Sequence, residues 1–183
     1  MIFNLSLHTR RAAQTDRRTL VQPGMYYITL CTQRRECLFG EIRQGKMKLN
    51  DAGAVVQKTW EELSSTCNSI WTDEFVIMPN HVHGIISVTA GAPPEPGGNG
   101  GARNTTPALI TLPGIVYHFK SYTTARYRLG MALMNWPPLR GRLWMRNYHE
   151  GIISTEKELE AVRQFIRYNP LQWGRDRDNP ANL

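Results

Sequence analysis

Apolar and polar positions alternate with two different periods along this chain, and the changes of period mark its elements. MYYITLCT (25–32) follows a Pro23-Gly24 turn signal and is rich in β-branched and aromatic residues, so it reads as a strand. SIWTDEFVIMP (69–79) and VHGIISV (82–88) read as a second and a third strand, and the short Pro79-Asn80 link makes them antiparallel neighbours. LWMRNYHEGII (143–153) reads as a fourth strand with its approach. Helical spacing fills the intervals. Asn50 or Asp51 can cap a helix whose apolar positions are Val55, Val56, Trp60 and Leu63. Residues 108–129 carry Ile115, Val116, Phe119 and Tyr122/Thr123 on one side, and Asn135-Trp-Pro-Pro138 breaks that helix. Thr155-Glu-Lys-Glu158 is a capping-box pattern that opens a last helix with Leu159, Val162 and Ile166 as its buried stripe, stopped by Asn169-Pro170.

The resulting order, β-α-β-β-α-β and a final helix, is the α+β, ferredoxin-like split βαβ pattern: one antiparallel sheet with two helices on one face, plus a C-terminal helix. The remaining stretches divide the chain. Residues 1–22 are polar, Arg-rich and aperiodic, an N-terminal arm. Residues 23–174 form the domain, with a hairpin across Gln44-Gly45 inside an otherwise loop-like 33–50. The Gly/Pro-rich run 89–107 is a flexible loop, and 175–183 a polar tail. A fold of this kind hosts many activities, so function has to come from a site.

Composition narrows the classes. At 183 residues and 41% hydrophobic, one domain with a real core is expected. No apolar run reaches the ~18 residues of a membrane helix, and the start lacks a secretion-signal pattern. Three cysteines without metal-site spacing read as free thiols, so a cytoplasmic, nucleoid-associated location is expected. A net charge of +7 suggests a polyanionic partner. The charge is uneven. Residues 1–35 carry Arg10, Arg11, Arg17, Arg18, Arg34 and Arg35 against the single acid Asp16. Residues 120–146 carry Lys120, Arg126, Arg128, Arg140, Arg142 and Arg146 with no acid, interleaved with aromatics, a mixture that suits single-stranded nucleic acid.

Candidate chemistry begins at FVIMPNHVHGIISV (75–88). On a strand, residues two apart share a face, so His81 and His83 project together at the mouth of the third strand and can share a divalent metal. MPNHVHGII resembles the metal motif of HUH nucleases (His, bulky hydrophobic, His). From about 23 to 174 the chain resembles the small single-tyrosine HUH transposases, and among them the REP-associated tyrosine transposases, through PGMYYITLCTQRRECLFG, FVIMPNHVHGIISV and LWMRNYHEGIISTEKELEAVRQFIRYNPLQW in that order.

The resemblance implies a nuclease and strand transferase. A last-helix tyrosine attacks a phosphodiester of single-stranded DNA and leaves a 5′-phosphotyrosine link and a free 3′-OH, while Mg²⁺ or Mn²⁺ held by His81, His83 and Asn169 polarises the scissile phosphate. It also implies a nucleophile slot four residues before Asn169, and there the chain departs from its relatives: the slot holds Phe165, which has no hydroxyl. Three readings follow. Phe165 is an introduced substitution, or the chain is a natural binding-only relative, or Tyr168 serves instead; helix geometry sets Tyr168 about 60° from Phe165 and about 100° from Asn169. In NYHEGII, His149 and Gly151 replace the Tyr and His of relatives.

Single-stranded or hairpin DNA is the implied partner. Arg10, Arg11, Arg17, Arg18, Arg34 and Arg35 are expected to hold the hairpin stem and its flank, and Lys120, Arg126, Arg128 and Arg142 to contact phosphates. No membrane partner is expected; the polar tail offers no clear dimer surface, which favours a monomer and leaves a homodimer open. The rivals are a non-catalytic hairpin-binding protein, which Phe165 favours, and an RNA-binding module of the same fold.

Overall fold

The computed structural model describes residues 10–12, 23–66, 69–89 and 111–182. Seven strands and four helices are defined: β1 Arg10–Ala12, β2 Gly24–Cys31, β3 Gly40–Arg43, β4 Lys46–Leu49, α1 Asp51–Glu61, α2 Leu63–Thr66, β5 Ile70–Ile77, β6 His81–Val88, α3 Leu112–Leu133, β7 Tyr148–Ile153 and α4 Glu156–Gln172. The main sheet has the order β1-β7-β2-β6-β5, every pair antiparallel. Its inner four strands, β7-β2-β6-β5, are the ferredoxin-like arrangement expected from the element order. Local signals act as read: Asn50 Oδ1 accepts from the Gly53 amide at 2.9 Å to cap α1, and Thr155 and Glu158 form the capping box of α4. Gln44 and Gly45 both take positive φ, 52° and 72°, as the tight β3–β4 hairpin requires.

The two faces of the sheet are covered by different helices. Tyr26, Ile28, Leu30, Val82 and Ile86 meet α1 and α3 through Val56, Trp60, Ile115, Val116 and Phe119. Gly84 permits this contact: a Cβ there would lie 2.2 Å from the Trp60 ring. On the opposite face Tyr27 and Ile85 meet Leu159, Val162 and Ile166 of α4. A register shift in β5 between Thr72 and Phe75 accompanies a second tie to α4: Arg163 forks onto Asp73 at 2.9 and 2.7 Å, and Arg167 meets Glu74 at 2.8 Å.

Three expectations change. The last helix does not stop at Asn169-Pro170 but runs to Gln172. Proline inside the final turn removes only one donor there, and Asn169 stays in helical phase. Within the Arg-rich arm, Arg10–Ala12 pairs with β7; the rest of that arm lies outside the described residues, as does the 89–107 loop beyond Thr89. The polar tail has a fold of its own: Trp173–Arg175 and Pro180–Asn182 are 3₁₀ turns, and the segment between them is held against the Pro79–Asn80 turn by the Asn80 amide, which donates to the Asp178 carbonyl at 2.7 Å. Among the described residues no helix is long and apolar enough to cross a membrane.

Candidate metal and DNA site

The histidine pair opens β6 on the α4 face. His81 lies opposite Cys31 and His83 opposite Thr29 in the β2–β6 register, and their ring centroids are 4.5 Å apart. Both are buried, at 0% and 5% exposure. Burial lowers the pKa of each; for His83 the neighbouring His81 adds to the effect. Both imidazoles are therefore neutral near pH 7.

Their surroundings fix which nitrogen of His81 carries the proton and which nitrogen of His83 faces the site. The amide nitrogen of Asn80 donates to the Arg35 carbonyl at 2.9 Å and to the Asp178 carbonyl at 2.7 Å, which turns the Asn80 carbonyl oxygen toward His81. The His81 Nδ1–H donates to that oxygen at 2.8 Å, leaving Nε2 as a bare lone pair. Around His83, Nδ1 sits 2.7 Å from the Tyr27 hydroxyl and 2.9 Å from that of Thr29, so Nε2 is again the outward nitrogen. Asn80, Tyr27 and Thr29 orient the pair as second partners orient metal-bound imidazoles.

The last helix brings position 165 and Asn169 to this place. Phe165 packs edge-on to His83 at 5.3 Å and to Tyr27 at 6.1 Å. Asn169 is 3% exposed. Its Oδ1 and the Nε2 of His81 are both buried without a hydrogen-bond partner. Asn169 lies near enough to favour a protonated His81, but the neutral ring has no Nε2 proton to give. Unpaired buried acceptors from an imidazole and an amide carbonyl form a donor set that fits a divalent cation, and the residues present therefore fit the group. Tyr168, about 60° round α4 from Phe165, is 45% exposed, while its neighbour Asn169 is buried.

Asp176 joins the site from the tail. A ligand atom from each of His81, His83 and Asp176 lies within 4.8 Å of the others, and Asp176 Oδ2 is 3.7 Å from His81 Nε2. Trp173 adds a ring 6.0 Å from His81. Asp176 has no motif spacing to the histidines; the signal that could have found it is only that WGRDRDNP, an Asp- and Asn-bearing run, follows the helix that carries Asn169.

The basic residues separate into groups. Lys120, Arg128 and Arg142, with Arg146 added, line a 360 Å³ groove between α3 and the 142–146 segment. That segment is joined to the end of β2 by a Thr32–Trp144 bridge and by bonds from Gln33 to Leu143 and from Met145 to Cys31, so the groove lies at the same end of the sheet as His81. Lys120 is a wall more than a free cation. Its ammonium donates to the Met145 carbonyl at 2.9 Å and to those of Arg146 and Asn147 at 3.4 Å, and burial pulls its pKa down to about 8. Arg126 stands apart, stacked on Tyr122 at 5.2 Å. Arg34 is exposed with a left-handed backbone (φ 59°), whereas Arg35 pairs with Asp178 at 2.8 Å. Arg10 and Arg11 sit in β1 opposite Glu150 and His149. Arg17 and Arg18 lie outside the described residues.

No family model matches the chain. A protein of Haemophilus influenzae (strain ATCC 51907 / DSM 11121 / KW20 / Rd), described as uncharacterized, is 33% identical over 188 aligned positions that cover 95% of each chain. Among solved structures, that of a REP-associated tyrosine transposase bound to a REP hairpin is similar with a TM-score of 0.55 at 14% identity, covering 86% of this chain and 72% of that one.

Proposed function

The chain belongs to one family with the Haemophilus influenzae protein and has the fold of an HUH single-tyrosine transposase, and from that premise we propose that it binds single-stranded or hairpin DNA at a divalent-metal centre whose nucleophile slot is position 165. Phe165 carries this reading. It lies where a hydroxyl would have to be, against His83 and one turn before Asn169, and it brings the ring without the oxygen. The chain as it stands is then a DNA-holding form of an endonuclease and strand transferase, with the cleavage step disabled at one atom.

His81, His83 and Asn169 would hold Mg²⁺ or Mn²⁺, which supplies Lewis-acid polarisation of the scissile phosphate when bound. Asn80, Tyr27 and Thr29 keep the imidazole lone pairs aimed, Phe165 and Trp173 exclude water, and the groove of Arg128, Arg142 and Arg146 supplies charge for the phosphate chain.

The test compares the chain with Phe165→Tyr on hairpin DNA with a single-stranded flank and Mn²⁺, looking for a covalent protein–DNA band on a denaturing gel. The expected outcome is DNA binding by both and an adduct only with the tyrosine variant. An adduct already formed by the Phe165 chain would move the nucleophile to another residue, with Tyr168→Phe the next variant. Binding by both with no adduct from either would favour a hairpin-binding protein that does not cut.

A further inference from the structure

Donor atoms of three side chains meet at the His81 ring. His81 Nε2 is a lone pair because its Nδ1–H is committed to Asn80; Asn169 Oδ1 is buried and unpartnered; Asp176 Oδ2 approaches Nε2 at 3.7 Å, beyond hydrogen-bond distance. Donors that repel one another at such separations are held together by a cation between them: metal–ligand bonds of 2.0–2.2 Å put neighbouring ligand atoms about 3 Å apart and opposite ones about 4.2 Å apart. We propose that Asp176 is a protein ligand of the metal centre, so that the centre has four protein donors, His81, His83, Asn169 and Asp176, and is completed by the segment after α4. The proposal rests on the metal-centre reading above and adds a ligand to it.

The segment is built to present that one oxygen. Asp176 Oδ1 accepts the Asp178 amide at 2.7 Å, closing a local turn, and leaves Oδ2 for the site. Asp178 then anchors the turn twice, through Arg35 at 2.8 Å and through its own carbonyl to Asn80 at 2.7 Å. Asn80 thus holds the His81 tautomer and the Asp176 turn with one side chain. A carboxylate also changes the chemistry of the set. Two imidazoles and an amide are neutral; adding one formal negative charge strengthens the hold on a hard ion such as Mn²⁺. It also makes metal binding a clasp, since the ion ties residues 173–182 to β6.

The experiment titrates Mn²⁺ into the full chain, reads the free ion by electron paramagnetic resonance, and follows amide exchange of residues 173–182. Asp176→Asn is the main variant, because its Oδ1 still accepts the Asp178 amide. Glu61→Gln is the control, with the same change of charge at an exposed position of α1 on the opposite face of the sheet; Asp176→Ala is the second variant, and a melting curve is recorded for each. Expected are a loss of Mn²⁺ affinity of at least about tenfold for Asp176→Asn, more for Asp176→Ala, wild-type affinity within about twofold for Glu61→Gln, and Mn²⁺-induced protection of 173–182 only where Asp176 is intact. If Asp176→Asn binds Mn²⁺ like the parent while His81→Ala loses it, the proposal is overturned and the centre stands without Asp176. If the parent chain binds no Mn²⁺, both the proposal and the metal-centre reading fall.

Discussion

Replacing Tyr27 by phenylalanine and Thr29 by valine should loosen metal binding without touching a ligand. His83 can offer Nε2 to an ion only in the tautomer that carries its proton on Nδ1, and that proton has two acceptors, the Tyr27 hydroxyl at 2.7 Å and the Thr29 hydroxyl at 2.9 Å. Either alone can keep it satisfied. Tyr27→Phe removes one oxygen and keeps the ring that stacks on His83 and meets Phe165, so it forfeits one net hydrogen bond, on the order of 0.5–1 kcal/mol, or about two- to fivefold in affinity. The double variant leaves a buried N–H with no acceptor, at a cost of about 1–3 kcal/mol, so affinity should fall by roughly 10–100-fold. The losses are therefore non-additive: the pair costs more than the two single changes together. Mn²⁺ titration of the four proteins, with a melting curve for each, measures the cycle. Wild-type affinity in a normally folded Tyr27→Phe/Thr29→Val chain would refute the reasoning and assign His83 orientation to the packing of Phe165 alone.

Two further outcomes separate structural cations from DNA-facing ones and test the docking of α4. Lys120→Met should lower stability by about 2 kcal/mol, because three backbone carbonyls lose an ammonium donor, and should leave the salt dependence of DNA binding unchanged; Arg142→Ala should leave the melting temperature unchanged and reduce the log–log salt slope by about 0.7. The Arg163 fork holds the Asp73 carboxyl below its ordinary pKa, so that group contributes stability that is fully present above the unfolded value of about 3.9 and is lost as pH falls from there through the folded pKa; denaturant unfolding between pH 5 and 2 should show that loss in the parent chain and a flatter profile in Asp73→Asn.

What could be read from the sequence is what depends on short-range pattern. The strand alternation around Tyr26 and Tyr27 assigns one ring to each face of the sheet, and the stripe Leu159–Val162–Ile166 assigns α4 to one of them. The His81–His83 spacing places both imidazoles on one face of the sheet, and the interval from Phe165 to Asn169 is one helical turn. Each of these is a statement about residues at most a few positions apart. Tyr27 carries no such mark: it becomes a partner of His83 only through a strand register spanning 56 residues. Lys120 reads as one more basic residue of a basic stretch, because the carbonyls that absorb its charge belong to a segment 25 or more residues away.

The tail shows the same limit at greater range and gives it functional weight. Its charges and turn formers read locally as a solvated end, and only the closure of the sheet brings Asp178, 98 residues downstream, to Asn80. That contact makes the Asn of the Pro-Asn-His turn a joint between three things that the sequence lists separately: the strand that carries the histidines, the arginine turn after β2, and the segment that carries Asp176. An Asn80→Asp chain separates these roles. Aspartate can still accept the His81 Nδ1 proton but cannot donate to the carbonyls of Arg35 and Asp178. His81 should therefore keep its tautomer while residues 173–182 lose their anchor. Amide exchange should quicken in that segment and not in β6; equal loss of protection in both would mean that the turn and the tail fold as one unit, with Asn80 a packing residue rather than a joint.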